Sequence, residues 1–471
     1  MTRGLTCLAL LLAAGSVPAQ PESEPPVRVT IRPRAEPEPA LKYLLLPELG
    51  DQMAGNAALF YHRAMHMRSQ LRQAPEEDMK VGQEWFEVPL KEFPRDEVRK
   101  LLARYKNVLH EVDLGARRRH CDWGLDFRTE GIGLLLPEIQ GMRSLVSLVA
   151  LQARLETAEG HYDQAVHTLQ TGFALARHVG EGQTLIQFLV GLASAGVMTQ
   201  RTEELIQARG APNLYWALTE LPRPLIDLRE PLQGEKVFLF REFPQLRTLT
   251  NEQLTPQQLQ KLVDSGFLEL AQLEGTRMAS WEVKLGVTAS TAKYYPQAKR
   301  FLKAQGKTQE QIEAMPALQA VMIYSLYQYD RQRDDQFKWL SVPYWQARAG
   351  LQKAEKGLKR SKASMDEGFP IGPLLLPAVQ KVFFASARSE RRIAALRCIE
   401  AVRLYAAAHD GKLPESLDEI TEVPVPIDPV TGKAFDYKLA EGKAALVGPP
   451  PSGEAAQPGN NTVRYELSVA H

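Results

Sequence analysis

Cysteine is almost absent, with three in 471 residues at positions 7, 121 and 398. So few thiols cannot form a disulfide framework, and no Cys-x-x-Cys pair is present to hold a metal or a redox centre. Charge of a single sign is missing too: 57 Lys and Arg stand against 56 Asp and Glu. General nucleic-acid binding needs a basic surplus, so no nucleic-acid partner is expected. The chain also lacks a glycine-rich phosphate loop, a Gly-x-Ser-x-Gly elbow and a His-Glu-x-x-His zinc helix, and no cofactor is expected. No apolar run approaches the roughly 20 residues that span a bilayer, so no membrane span is expected after removal of the leader.

What is present begins with a leader. In "MTRGLTCLALLLAAGSVPAQ", Arg3 is followed by an apolar stretch from Leu5 to Ala14 and by small residues before Gln20. Residues 1–19 read as a secretory signal peptide, which implies an exported protein, periplasmic or extracellular. Cys7 precedes most of the apolar run and is not placed as a lipid-attachment site. Residues 20–40 are rich in Pro and Glu and read as an extended leader with little packing. An oxidising compartment permits a Cys121–Cys398 bond, but two buried free thiols are the expected state, because unpaired cysteine behaves as a small apolar residue.

One word recurs. "LLLPE" stands at 44–48, "LLLPEIQ" at 134–140 and "LLLPAVQ" at 374–380. Proline lacks an N–H and fixes φ, so it suits the first turn of a helix, and each copy is read as opening one. After Pro137, Leu148, Leu151, Leu155 and Ala158 recur at helical spacing until Gly160. A second stripe of Ala165, Leu169, Phe173 and Ala176 runs to Gly180, making an antiparallel hairpin. Leu185 to Met198 is apolar on nearly every side and is expected in a core. After Pro377 a long helix carries Ala395, Cys398, Ile399 and Val402 on one face. The tail changes character, with short strands expected at 435–439, 444–447 and 463–469. The expected parts are an N-terminal helical domain (41–235), a middle helical region (236–370) and a C-terminal helix with a small sheet (371–471).

Candidate chemistry is sparse. His62 and His66 stand one helical turn apart, as metal-binding histidines do, with no third ligand at a matching position. "GARRRH" at 115–120 reads as a solvated basic loop or an anion site. His120, Cys121 and Asp122, with Trp123, form the one candidate reactive site, a thiol beside a histidine; packing of Cys121 and Trp123 beneath a loop competes with it. Asp428 in "DPVTG" reads as a turn. Tyr324, Tyr327, Tyr329, Trp339, Tyr344 and Trp345 are concentrated among arginines, which suits either a peptide-binding face or a helix interface.

The stretch "LQARLETAEGHYDQAVHTLQTGFAL", with Gly160, Tyr162 and Ala165, resembles one tetratricopeptide unit. The segment from Arg392, with Tyr405, Gly411, Pro414, Leu417 and "DPVTGKAFDY", is similar to the soluble part of type II secretion pseudopilins. "CDWG", "LLLPE" and "PNLYWALTELPRPLID" together resemble a group of exported bacterial helical proteins. These resemblances imply a mainly α fold, an irregular array of helical hairpins with a small C-terminal antiparallel sheet. The function expected is a non-catalytic scaffold with a protein or peptide partner in the cell envelope. The alternatives are an envelope enzyme of unrecognised type or an accessory component of a secretion apparatus.

Overall fold

Prolines and glycines at the ends of apolar stretches place the helix boundaries. The computed structural model describes residues 26–71, 84–125, 137–242, 244–249, 252–263, 280–364, 369, 371–372, 376–457 and 459–470. The expected signal peptide and the leucines at 134–136 lie outside them. In chain order the described elements are strands β1 (Val27–Ile31) and β2 (Met53–Asn56), then helices α1 (Ala57–Gln70), α2 (Arg95–Arg104) and α3 (Lys106–Ala116). Next come β3 (Arg118–His120) and helices α4 (Pro137–Glu159), α5 (Tyr162–Gly180), α6 (Leu185–Gln207) and α7 (Tyr215–Thr219). They are followed by α8 (Arg229–Glu242), α9 (Pro256–Leu262), α10 (Ser280–Ala304), α11 (Gln309–Ala314) and α12 (Ala317–Phe337). Helices α13 (Tyr344–Ser364) and α14 (Pro377–Ala408) precede β4 (Asp436–Ala440), β5 (Lys443–Gly448) and β6 (Val463–Val469). The protein is mainly α with a small sheet.

Two compact units result, one of Ala19–Leu125, Leu136–Pro231 and Phe384–His471, the other chiefly of Leu232–Phe383. Most of the stretch 41–235 therefore shares a unit with most of 371–471, and the second unit runs through the middle region.

In the first unit, α4, α5 and α6 form the centre. Gly160 adopts φ +78° and ends the α4 turn, a conformation that favours glycine. Thr184 caps α6 by accepting the Gln187 N–H at 3.1 Å. Leu169, Phe173, Ala176 and Val179 of α5 are buried, as are Phe188, Val190 and Ala195 of α6. Helices α5 and α6 touch backbone to backbone: a Cβ on Gly191 would lie 2.4 Å from the Gly180 Cα and 2.7 Å from the Ala176 carbonyl oxygen. Only glycine permits that approach.

The sheet has the order β1-β6-β5-β4. Strands β4, β5 and β6 form the antiparallel part expected from the tail. The fourth strand corrects the reading of the leader. Residues 27–31 pair parallel with β6, Val29 opposite Leu467 and Ile31 opposite Val469. The sheet is therefore mixed rather than purely antiparallel. The alternation Val27-Arg28-Val29-Thr30-Ile31 explains the pairing, because it turns Val29 and Ile31 inward, where both are buried.

The first "LLLPE" also departs from expectation. No α-helix follows Pro47; a short 3₁₀ turn at Leu49–Asp51 leads into β2, and α1 starts only at Ala57. Gly55, at φ +117°, lies outside helical space, and the Asn56 side chain provides the cap by accepting the Ala58 N–H. Pro137 and Pro377 do open helices.

In the second unit, α12 lies against α10, with the Phe301 ring 4.5 Å from that of Tyr327 and 5.6 Å from that of Tyr324. Helix α13 turns Ala347, Leu351 and Leu358 inward, and Gly350 leaves room for the Trp339 ring. Thr255 with Gln258 makes a capping box at α9, and Thr308 with Gln311 repeats it at α11.

Two substitutions on α6 separate packing from propensity. Gly191→Ala meets fixed backbone and is expected to destabilise the fold by roughly 1–3 kcal/mol or more. Gly196→Ala meets nothing within 4 Å and is expected to stabilise it by about 0.5–1 kcal/mol. Chemical denaturation of the two variants beside the parent measures both.

Candidate functional site

The residues 117–124 carry the one candidate reactive site, and their backbone decides where each side chain goes. Strand β3 pairs with β2, Asn56 facing His120. The Asn56 carboxamide then clamps the next residues: its oxygen accepts the Asp122 N–H at 2.9 Å, and its nitrogen donates to the Asp122 carbonyl at 2.7 Å. Along this extended segment His120 and Asp122 are exposed, whereas Cys121 is partly buried. Alternation along a strand turns neighbours to opposite faces, so histidine and thiol do not converge. Burial pushes the Cys121 thiol up, and the charges of Asp122 and Glu181 add to the rise, while the Ala58 backbone hydrogen bond opposes it. It is a protonated, packed thiol at neutral pH.

Beneath it lies an aromatic knot. Tyr61 is buried, its ring stacks on Trp123 at 5.8 Å, and its hydroxyl meets His178 Nδ1 at 2.7 Å. The Trp123 indole N–H donates to the His178 carbonyl at 2.8 Å. Burial, with help from the Arg177 charge, pushes the His178 pKa down to about 4. The ring is thus neutral near pH 7, and His178 ties α5 to α1 through that ring and to the 121–124 segment through its carbonyl.

The other candidates scatter. His62 packs edge-on to Trp123, and His66 pairs with Gln70 one turn away. Among the described residues no group of three or more His, Cys, Asp or Glu is arranged to hold a metal ion. The run 115–120 is neither wholly solvated nor an open anion site, because Arg117 is buried. Its guanidinium donates to Asp113 at 2.8 Å and also to Gln170. Burial works against ionisation of Asp113, but the His167 and Thr171 hydrogen bonds and Arg117 outweigh it and hold the carboxyl far below its ordinary range. In "DPVTG", Asp428 is buried and accepts two hydrogen bonds from Arg391, at 2.6 and 2.8 Å, as well as the Val430 N–H.

The six aromatics of 324–345 divide among different neighbours. Tyr324 and Tyr327 sit beside Phe301, Tyr329 is buried under Arg333, Trp339 covers Gly350, and Tyr344 meets Phe383. Trp345 and Tyr327 are exposed, each at 41%. Cys121 and Cys398 are both free thiols.

Sequence reasoning passed over the buried charges. On α6, Arg201, Glu203 and Glu204 follow directly on the apolar run, and that abrupt run of charge was the available signal. Arg154 of α4 donates to Glu204 at 2.9 Å and to the carbonyls of Trp85 and Val88, and it stacks over Phe93. Tyr465 of β6 donates to Glu203 at 2.9 Å. Burial pushes both carboxyls up, countered by Arg392 at Glu203 and by Arg201 and Arg154 at Glu204. On α14, Glu390 is half-buried and accepts the Leu225 N–H at 2.8 Å, and burial pushes its pKa up to about 7.

No family model, curated protein or solved structure matches this chain.

His178 and Glu390 oppose each other in their pH dependence. The folded pKa of His178 lies below its unfolded value of 6.5, so its contribution is full above pH 6.5 and is lost as pH falls towards 4. That of Glu390 lies above 4.5, so its contribution is full below pH 4.5 and is lost as pH rises towards 7. On acidification from pH 7.5 to 5, His178→Gln is therefore expected to gain stability relative to the parent, and Glu390→Gln to lose it. Each change is on the order of 1–3 kcal/mol. Urea denaturation at both pH values reads the two signs.

Proposed function

We propose that this is an exported protein of the cell envelope that serves as a non-catalytic helical scaffold for protein or peptide contacts. The observation that carries the reading is the fate of the Cys121 neighbourhood. The thiol is turned towards the Ala58 N–H and pushed up by burial, while His120 is exposed and the exposed Asp122 accepts the Gly124 N–H at 2.9 Å. The displaced ionisable groups elsewhere in the first unit are spent on fixed partners: Glu390 on the Leu225 N–H, Asp113 on Arg117, Glu204 on Arg154. The partly exposed rings of Tyr324 and Tyr327 beside Phe301 offer an amphipathic surface of the kind that peptide partners use. Export rests on the leader at 1–19.

One feature favours a second reading, an accessory part of a secretion apparatus. Over 377–469 the chain runs from a long helix into an antiparallel meander. A partner that cross-links through β4, and not through Tyr324 and Tyr327, would support this reading over the first.

Two measurements bear on the first reading. Iodoacetamide near neutral pH is expected to modify Cys121 in the native protein at least about tenfold more slowly than in urea; faster reaction in the native state would sink the non-catalytic assignment. Cell fractionation is expected to find the protein in the envelope fraction beginning at Gln20. Recovery in the cytoplasm with residues 1–19 intact would remove the exported scaffold from consideration.

A further inference from the structure

Residues 232–383 hold 21 Lys and Arg against 15 Asp and Glu, although the whole chain is almost balanced. The surplus is concentrated on α13, which has six basic residues and Glu355 as its one acid. Its buried stripe is Ala347, Leu351 and Leu358. At 100° per residue, Trp345, Lys353, Lys356 and Arg360 fall within an arc of about 80° on the opposite side, spread over about 22 Å of helix. All four are exposed.

The charges on this face also lack counterparts. In α12 and just after it, Arg333 pairs with Asp330 and Asp334, and Lys338 with Asp335. On α13 Lys359 is paired with Glu355 at 2.7 Å. Among the described residues, no carboxylate pairs with Lys353, Lys356 or Arg360. A solvated helix face ordinarily mixes both signs, with acids one turn from bases. Here unpaired cations share a face with an exposed indole.

We infer that this face of α13 docks the protein onto an anionic phospholipid bilayer, with Lys353, Lys356 and Arg360 over lipid phosphates and Trp345 at the level of the headgroups. Clustered cations draw a protein to an anionic bilayer, and tryptophan prefers the membrane–water interface. The helix keeps its apolar stripe in the protein core, so the contact is peripheral. Among the described residues no helix is long and apolar enough to cross a membrane. The indole favours lipid over an acidic protein as the partner, since acidic chains need only the cations. The inference is independent of the scaffold reading.

The test is co-sedimentation of the protein, as purified from its producing cells, with vesicles of phosphatidylcholine alone or mixed with phosphatidylglycerol. Binding is expected only to the mixed vesicles and is expected to fall with added salt. The triple variant K353E/K356E/R360E is expected to lower apparent affinity at least about tenfold, with an unchanged circular dichroism spectrum. If that variant misfolds, K353Q/K356Q/R360Q is expected to act in the same direction, and W345A to weaken binding about threefold. Equal binding to both kinds of vesicle, or no effect of the glutamine variant, overturns the proposal. Binding to polyglutamate as tight as to the mixed vesicles, with no effect of W345A, overturns it in favour of an acidic protein partner.

Discussion

One guanidinium holds together segments far apart in the chain. Arg403 is buried on α14, paired with Glu400 one turn earlier at 2.8–2.9 Å. Its remaining N–H groups donate to the carbonyls of Arg32, Pro212 and Ala211, and its own carbonyl accepts the Arg34 N–H. The Glu400 carbonyl accepts from Asn213. Burial pushes the Glu400 carboxyl up, and the Arg403 charge opposes that rise. A buried ion pair is tolerable only when its spare donors and acceptors are met, and here the backbone that follows β1 and the loop before α7 meet them. Removing either partner leaves an uncompensated charge, at a cost of roughly 3–5 kcal/mol. The position of β1, the course of the 211–213 loop and the seating of α14 therefore depend on one another.

The same device recurs through the first unit. Arg391 and Asp428 fix the turn before β4, Arg154 binds the carbonyls of Trp85 and Val88 while held by Glu204, and Arg117 joins α3 to α5. The first two couple a helix to backbone carbonyls outside it that helix packing cannot satisfy, whereas Arg117 joins helix to helix through side chains. Charge is used in this unit as strapping for loops.

Much of the local structure was legible because its causes are local. Pro137 and Gly160 mark the ends of α4, Gly180 closes α5, and the alternation in the tail marks β4 to β6 within a residue or two. The first "LLLPE" was misleading because Gly55 and Asn56 set the start of α1 at Ala57, ten residues past Pro47, and three leucines carry no information about that. Strand β1 was hidden among Pro and Glu. "VRVTI" does alternate, yet its partner is β6, and Thr30 and Ser468 are separated by 438 positions; no local window connects them. At the reactive-site candidate, the residue types were visible, but the Asn56 clamp that turns Cys121 away from its neighbours was not. The buried arginines were obscure for a related reason, since many of their acceptors are carbonyls, which every residue possesses.

The parallel pairing of β1 with β6 also imposes an order in time. Val27–Ile31 is synthesised 438 positions ahead of the residues it must lie beside, and the Ala470 N–H closes onto the Ile31 carbonyl at 2.9 Å. During translation, Val29 and Ile31 have no strand to lie beside until β6 has been made. The α4–α5 hairpin can form early from its own neighbours, but the sheet cannot take in β1 before β6 exists to receive it. A chain interrupted before β6 would carry an unpaired, sticky strand at Val27–Ile31, and such a chain is a natural substrate for chaperones and proteases.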